Sequence, residues 1–368
     1  MAGVDAAKSR VAAQPPRSDT LAHVWIVAGD IGGTKTELAA LERTPAGAFR
    51  QRAAVRYASS EFASLDAIAG AFMATVAQRC GDLSSAELAG AAFGVAGPVI
   101  GRTSRITNLP WYIDADALQT LLAAPCELLN DFAAVALGVG LLSSAEQCVL
   151  QAGEVDPTGP VAVLGAGTGL GEAVLVPATG GPRVLASEGG HTDFAPRNPT
   201  EARLLAFLWQ RHERVSVERV VSGLGLPAIF DFVCEDGLAT PRTDTLAAME
   251  DRDRSAVIGE RGQDGSDPAC ARALQMFVEL YGAEAGNLAL KVIPTGGLYV
   301  AGGIAPRVLP LLQDGRFMGA LLDKGRMHDL LSSVRVAVVL EPRVGLFGAA
   351  RMAALCGGVD NFTRAHSA

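Results

Sequence analysis

The sequence predicts an α/β protein built from two domains. It has 368 residues, more than a single domain usually contains. Of these, 49% are hydrophobic and 19% are charged, so the chain can bury a large core. Strand-like apolar runs alternate with helix-like amphipathic segments, as in α/β folds. Two stretches, "GDIGGTKTE" and "GAGTGLGE", each follow an apolar strand and lead into a second one. This repeated unit indicates a duplicated domain.

The first domain is predicted over residues 23–140. "HVWIVAGD" is typical of a strand, "IGGTKT" of a turn and "ELAALE" of a second strand, so together they predict a hairpin. "LAGAAFGVAGPVI" predicts a buried strand, "TNLPWYID" a loop and "ADALQTLLA" a helix. "CELLND" then predicts a strand that leads into the helix "FAAVALGVGLL".

The second domain is predicted over residues 141–340. It begins with the hairpin "PVAVLGAGTGLGEAVLV", the polar loop "SEGGHTDFAPRN" and the helix "PTEARLLAFLWQRH". Residues 235–267 are charged and mixed, which predicts a solvated helical insertion before the long helix "CARALQMFVELYGAEAGNLALKVI". "GGLYVAGGIAPRVLPLL" predicts strand, turn and helix, and "VRVAVVLEP" a last strand. We expect residues 341–368, with the helix "GLFGAARMAAL", to return to the first domain.

Charge and cysteine content narrow the function classes. A net charge of -8 gives no broad basic surface for nucleic acid or an acidic membrane. The six cysteines include no C-x-x-C pair, so we expect neither structural zinc nor disulfides, and a cytoplasmic location. Residues 1–22 lack the apolar core of a signal peptide and are predicted to be a disordered leader, with a mitochondrial transit peptide as the alternative. No apolar run approaches the roughly 20 residues that span a membrane.

The glycine stretch "VLGAGTGLGEAVL" has several possible interpretations. Its glycines fall on every second position, at Gly165, Gly167, Gly169 and Gly171, and a strand follows them. A dinucleotide fingerprint requires G-x-G-x-x-G before a helix, and a P-loop requires G-K-[ST], so neither fits. The turn amides and the hydroxyl of Thr168 could hold an anion. A turn that binds no ligand explains the stretch equally well.

The stretch "GDIGGTKTE" favours the anion interpretation. Gly32 and Gly33 allow the backbone to approach a phosphate, Thr34 and Lys35 supply donors, and Asp30 can hold a metal ion through water. Two such turns in one chain resemble the phosphate-binding hairpins of the sugar kinase, heat-shock protein and actin superfamily. In that superfamily the nucleotide phosphates lie between two duplicated domains.

Five longer motifs resemble one family within that superfamily. "LLNDFAAVALGV", "VLGAGTGLGEAVL", "SEGGHTDFAPRN", "ERVVSGLGLPAIFDF" and "LYVAGGIAPR" are similar to motifs of the bacterial glucokinase family, in the same order and over nearly the whole chain after the leader. The resemblance implies two ribonuclease H-like domains of the actin/hexokinase type that flank a cleft. It also implies D-glucose and ATP as substrates, Mg2+ as cofactor and a homodimer.

The resemblance assigns roles to single residues. Asp131 aligns with the general base that takes the proton of the sugar C6 hydroxyl as it attacks the γ-phosphate, although a helix N-cap would by itself explain an aspartate there. The implied sugar ligands are Asn108, Asn130, Asp131, Glu188, His191 and Glu218. The implied nucleotide ligands are Gly29, Asp30, Ile31, Gly32, Gly33, Thr34, Gly167, Thr168, Gly302 and Gly303, and Asp30 is also the implied water-mediated ligand of Mg2+.

Simpler interpretations exist for several of these residues. Glu188 and His191 could be surface loop residues, Asn108 a turn residue before a proline, and "AGG" a plain strand-to-helix turn. Many relatives carry Asn where this chain has Lys35, whose role is left open. The function predicted is glucose phosphorylation at O6. The alternatives are a sugar sensor or regulator of the same fold, a kinase for another hexose, and ADP or polyphosphate as the donor.

Overall fold

The computed structural model describes residues 24–106, 109–359 and 362–365. The predicted leader and Asn108 lie outside the described residues. The strands are β1 (Val24–Ile31), β2 (Lys35–Arg43), β3 (Phe49–Ala58), β4 (Glu87–Val95), β5 (Val99–Ile100), β6 (Thr103–Arg105), β7 (Tyr112–Asp114), β8 (Cys126–Asn130), β9 (Gln147–Gln151), β10 (Val161–Ala166), β11 (Leu170–Val176), β12 (Arg183–Ser187), β13 (Gly297–Ala301) and β14 (Val336–Val339).

The helices alternate with these strands. They are α1 (Leu65–Arg79), α2 (Ala115–Leu122), α3 (Asp131–Val139), α4 (Pro199–Trp209), α5 (Gly225–Glu235), α6 (Thr243–Asp251), α7 (Arg254–Gln263), α8 (Pro268–Val292), α9 (Leu309–Gln313), α10 (Arg316–Leu322), α11 (His328–Ser332) and α12 (Val344–Cys356). Within the described ranges, no helix combines the length and the apolarity that crossing a bilayer requires.

The two large sheets share one topology. The smaller sheet has the order β3-β2-β1-β4-β8, and five strands of the larger one repeat it as β12-β11-β10-β13-β14, with β9 added at the edge. In each of these orders the first three strands pair antiparallel, and the fourth and fifth strands run parallel to the third. The duplication predicted from the two glycine hairpins is therefore present in the fold.

Two predicted elements differ from the structure. "TNLPWYID" contains the short strand β7, which pairs with β6 in a separate three-stranded sheet. Residues 235–267 form α6 and α7 as expected for a helical insertion, but α7 is not fully solvated. Val257 and Ile258 are completely buried because α7 packs on α8. The charged composition concealed these two apolar positions.

The helices that follow the last strand of each sheet exchange sides. Helix α3 follows β8 of the smaller sheet, yet its buried Leu137 packs with Val163 and Leu175 of the larger sheet. Helix α12 follows β14 of the larger sheet, yet it packs on the smaller one, where Ala350 lies with Ile26. Each half of the chain thus supplies a helix to the other, while the exact domain boundary near residue 140 stays a prediction.

Helices α3 and α12 approach each other closely through glycines. A Cβ on Gly348 would overlap the carbonyl oxygen of Ala134, and a Cβ on Gly138 would overlap that of Val344. Side chains at these positions would force the helix axes apart, and close-packed interiors accommodate such additions poorly. This contact joins the two halves of the molecule.

Replacing Gly348 with Ala should therefore destabilise the protein. Alanine would normally improve a helix by about 1 kcal/mol over glycine, but the overlap with Ala134 should produce a net loss of roughly 1–3 kcal/mol. Gly345→Ala, in the same helix, is the matched control, because its Cβ would meet Val135 Cγ2 at an ordinary 3.7 Å. Urea unfolding of both variants measures the difference, and equal stabilities would contradict the close contact.

Candidate active site

The first predicted phosphate turn joins β1 and β2. Gly32 N donates to Lys35 O at 2.9 Å, which closes the turn and leaves Thr34 exposed at its tip. Asp30 lies one residue before the end of β1 and is half-buried. Gly29 and Ile31 are buried on either side of it, so they can offer only backbone atoms to a ligand.

Ser59 holds this turn, and the sequence interpretation missed it. Its Oγ donates to Gly32 O at 2.8 Å and lies 3.0 Å from Thr36 Oγ1, and its amide donates to Thr34 O at 3.0 Å. Ser59 is fully buried. It follows β3, so only the pairing of β3 with β2 brings it to the turn. No local sequence pattern indicates this contact.

Asp131 is the first residue of α3, and its neighbour Asn130 caps the helix. Asn130 Oδ1 accepts from the amides of Phe132 (3.0 Å) and Ala133 (3.3 Å), and its Nδ2 donates to Gly97 O at 3.2 Å. The simpler interpretation of Asp131 as the N-cap is therefore wrong, although Asp131 Oδ1 also accepts from Phe132 N at 2.9 Å. With Asn130 as the cap, the carboxylate of Asp131 is not needed to start the helix.

Asp30 and Asp131 lie near each other across β4. Gly94 is opposite Asp30 in the β1–β4 register, and a Cβ on Gly94 would lie 3.9 Å from Asp131 Cα. Burial, followed by the charges of Asp131 and Glu37, raises the pKa of Asp30 to about 6, against the opposing charge of Arg56. Two neighbouring, partly desolvated carboxylates are typical of a functional site.

Burial also raises the pKa of Asp131. The amide of Phe132 opposes this shift by donating to the carboxylate, whereas the charge of Glu188 adds to it. A carboxylate with a raised pKa binds a proton more strongly, which suits a general base. Glu188 of the predicted sugar loop therefore lies within electrostatic range of Asp131.

The alternating glycines of the β10–β11 hairpin serve different neighbours. A Cβ on Gly165 would lie 2.6 Å from Phe132 Cζ, and one on Gly171 would overlap the same ring. A Cβ on Gly169 would overlap the carboxylate of Glu218. Gly167 alone of the four faces open space, beside the exposed Thr168. Three glycines therefore make room for site residues, and the hairpin tip remains accessible.

The predicted sugar ligands Glu188, His191 and Glu218 form one cluster. His191 Nδ1 lies 3.9 Å from Glu218 Oε1, and His191 Nε2 lies 3.9 Å from Glu188 Oε2. Glu218 Oε2 accepts from the amide of Leu170 at 2.9 Å, so this cluster is tied to β11. The side chains of Glu188 and His191 are 77% and 58% exposed, which leaves them free to meet a ligand.

Gly302 and Gly303 lie beside the hairpin tip. Gly302 has a φ of +82°, a conformation that favours glycine, and a Cβ there would lie 2.5 Å from Ala166 O. The amide of Ile304 donates to the same carbonyl at 3.3 Å. Through these contacts the structure connects the cluster of Glu188, His191 and Glu218, Asp131, both glycine turns and this segment.

Comparison with known proteins assigns the family. A family model described as Glucokinase matches residues 27–355. The chain belongs to the glucokinase family. A curated glucokinase from Synechocystis sp. is 44% identical over 354 residues, which cover 90% of this chain and 98% of that protein. The resemblance noted in the sequence motifs is thereby confirmed.

Solved structures of glucokinases share the fold. The glucokinase from an Antarctic psychrotroph is 31% identical with a TM-score of 0.78, and the match covers 89% of this chain and 98% of that one. A ROK family glucokinase from Streptomyces griseus, solved with glucose and AMPPNP, has a TM-score of 0.58 at 22% identity, with 89% and 99% covered. The predicted two-domain, actin/hexokinase-type α/β fold is confirmed.

Neutralising Asp30 should stabilise the protein at high pH. The pKa of Asp30 is about 6 in the folded state and 3.8 ordinarily, so ionisation of Asp30 opposes folding. The resulting loss of unfolding free energy grows as the pH rises from 4 through 6 and is complete above the folded-state pKa. Asp30→Asn should raise the free energy of unfolding at pH 8 by about 1–3 kcal/mol and much less at pH 4.5. Urea unfolding at both pH values measures this, and a less stable variant at pH 8 would contradict it.

Adding a methyl group at Gly171 should misplace Asp131 through Phe132. Gly171→Ala should push the ring of Phe132, the residue that follows Asp131 in the chain. The displaced carboxylate of Asp131 should lower kcat by roughly 10- to 100-fold. The double variant Gly171→Ala/Phe132→Ala removes the overlap and should recover part of kcat. Steady-state kinetics of the single and double variants provide the test. A double variant slower than Gly171→Ala would refute the coupling.

Proposed function

We propose that this chain transfers the γ-phosphoryl group of ATP to O6 of D-glucose, with Asp131 as general base. Membership in the glucokinase family makes the chain a glucose-phosphorylating kinase. The observation that carries the proposed roles is the position of Asp131, a half-buried carboxylate near Asp30 on one side and Glu188 on the other. It therefore lies between the groups suited to phosphate and those suited to sugar.

The sugar is bound by the acidic and imidazole cluster. Glu188, His191 and Glu218 can each accept a hydrogen bond from a sugar hydroxyl, and Asn130 Nδ2 can add a donor if it shares its bond to Gly97. A site of this kind rejects analogues that lack a hydroxyl, because its polar groups would remain unpaired. Asn108, outside the described residues, is proposed as a further sugar ligand.

The nucleotide phosphates are bound by the two glycine turns. Gly32, Gly33 and Thr34 supply donors on one side, and Gly167 and Thr168 on the other, since backbone amides and hydroxyls at such turns hold anions. Gly302 and Gly303 lie beside the second turn and are proposed to contact the nucleotide. The open space at Gly167 fits this role, because a phosphate can approach its backbone closely.

Asp30 fits a water-mediated Mg2+ ligand. No group of three or more His, Cys, Asp or Glu side chains within the described ranges could enclose a metal, but Mg2+ usually retains waters and needs only one or two carboxylates plus substrate phosphates. The half-buried Asp30 beside a phosphate turn meets that need. When bound there, Mg2+ would neutralise the phosphate oxygens.

The protein's own residues contribute positioning and proton transfer. The cluster around His191 orients the sugar so that its C6 hydroxyl meets Asp131, which accepts the proton as that oxygen bonds to phosphorus. Approach of the two halves about the α3–α12 contact would exclude water from the cleft and limit ATP hydrolysis. Most of the rate enhancement then comes from orientation and from fixed donors at the phosphates. We further propose a cytoplasmic homodimer.

Removing the Asp131 carboxylate should abolish turnover and spare glucose binding. Asp131→Asn keeps the shape but cannot accept the proton, so kcat should fall by about 10²–10⁴-fold, while the glucose Kd should change by less than about tenfold, as for the loss of one ordinary hydrogen bond. A coupled assay and calorimetry provide the two readouts. Asp66→Asn, the same change in the first turn of α1, is the matched control. Near-normal turnover of Asp131→Asn would refute the assignment of the base.

A panel of sugars and donors separates the remaining alternatives. Glucose with ATP should give the highest kcat/KM among glucose, mannose, fructose and amino sugars, and among ATP, ADP and polyphosphate. Tight glucose binding without product would instead indicate a sugar sensor of the same fold. Higher kcat/KM with another sugar or donor would reassign the substrate and leave the family unchanged.

A further inference from the structure

Two glutamates outside the proposed reaction are buried and lie close enough for their carboxyl groups to interact. Glu172 on β11 and Glu284 on α8 are each only 3% exposed. Within the described part of the chain, Oε1 of each side chain is buried without a hydrogen-bond partner. Two adjacent buried carboxylates repel each other when both are ionised, and one shared proton removes that repulsion and supplies a hydrogen bond between them.

The other polar groups around this pair lie mainly on the Glu284 side, and they include the two cations Lys291 and Lys324. Glu284 Oε2 accepts from Asn287 Nδ2 at 2.9 Å, and Lys291 Nζ lies 3.7 Å from Glu284 Oε1. Lys324 donates to Asn287 Oδ1 at 2.6 Å. Glu201 on α4 forms an ion pair with Arg197 of the preceding segment, with 2.6 Å between Arg197 Nη2 and Glu201 Oε1. Glu188 and His191 lie on the predicted sugar loop.

Glu172 of this pair directly supports the turn that carries the proposed sugar ligands Glu188 and His191. Glu172 is opposite Ser187 in the β11–β12 register, and Ser187 Oγ accepts from Gly189 N at 3.0 Å. A Cβ on Gly189 would overlap Glu172 Oε2, so the turn backbone rests on this carboxyl group. Gly190 packs equally closely on the carbonyl of Leu170. A shift of Glu172 would therefore move the turn between Glu188 and His191.

We propose that Glu172 and Glu284 share one proton and act as positioning residues that hold the Glu188–His191 turn in its glucose-binding geometry. This inference rests on the proposed function for the identity of the sugar. Burial and the charge of Glu284 raise the pKa of Glu172 to about 7. Above that pH Glu172 loses the proton, its carboxylate is repelled by that of Glu284, and the turn is displaced. Glucose affinity and folding stability should both decrease as the pH rises through 7.

The test compares Glu172→Gln with the wild-type chain at pH 6 and 8.5. A glutamine amide replaces the shared proton with a permanent N–H donor, so the variant should bind glucose like the wild type at pH 6. The wild-type Kd, measured by calorimetry without nucleotide, should rise several-fold at pH 8.5, and the Kd of the variant should not. Glu279→Gln, on the same helix, is the matched control and should keep the wild-type pH dependence.

Glu172→Leu tests positioning separately from charge. Leucine cannot hydrogen-bond to Glu284, so the glucose KM should rise about tenfold at both pH values, while kcat changes little because Asp131 is untouched. Parallel pH profiles for the wild type and Glu172→Gln, or a loss of kcat with unchanged KM in Glu172→Leu, would overturn the proposal. Glu284→Gln is the second variant if Glu172→Gln does not fold.

The same variants distinguish failure of this inference from failure of the proposed function. Urea unfolding without any sugar should show a wild-type stability loss between pH 6 and 8.5 that Glu172→Gln lacks. That difference in a chain that binds no glucose would refute the proposed function and leave proton sharing intact. Glucose binding without that difference would refute proton sharing alone.

Discussion

The close approach of other elements to the glycine-rich hairpin β10–β11 is the constraint on which the candidate site depends. Phe132 fills the space above Gly165 and Gly171, and Glu218 fills that above Gly169. Through these contacts the same hairpin positions the proposed base, by way of Phe132, and one proposed sugar ligand. Its tip remains open for a phosphate. The proposed sugar and nucleotide sites therefore share one support, so a displacement at either should be transmitted to the other.

A second contact joins the two halves of the molecule. Helices α3 and α12 each pack on the sheet of the other half, and they meet through Gly138 and Gly348. The N-terminus of α3 holds Asp131. Phe132, the next residue, packs against Gly165 and Gly171 of the larger sheet. The proposed base is therefore held from both halves, through Asn130 of the smaller sheet and through Phe132 against the larger one.

Local patterns in the sequence predicted much of this architecture, and long-range register supplied the rest. The glycine turns, the Asn130–Asp131 pair and the family motifs are contiguous, so they indicate the fold and the site residues directly. Ser59 and Glu284 reach their partners only through strand pairing or helix packing, which no short stretch encodes. The alternating glycines are evident in the sequence, but a phosphate-binding role for the hairpin tip explains only Gly167 and leaves the other three unexplained. The bulky neighbours that require the other three come from residues 30 to 50 positions away.

Hydrogen–deuterium exchange with glucose alone tests the shared support most directly. If the hairpin joins the two sites, glucose should slow amide exchange in residues 165–171 as well as in the sugar loop, since Leu170 N donates to Glu218. Protection should reach the hairpin without any nucleotide present. Protection restricted to residues 188–191 and 218, with the hairpin responding only to a nucleotide, would contradict the account.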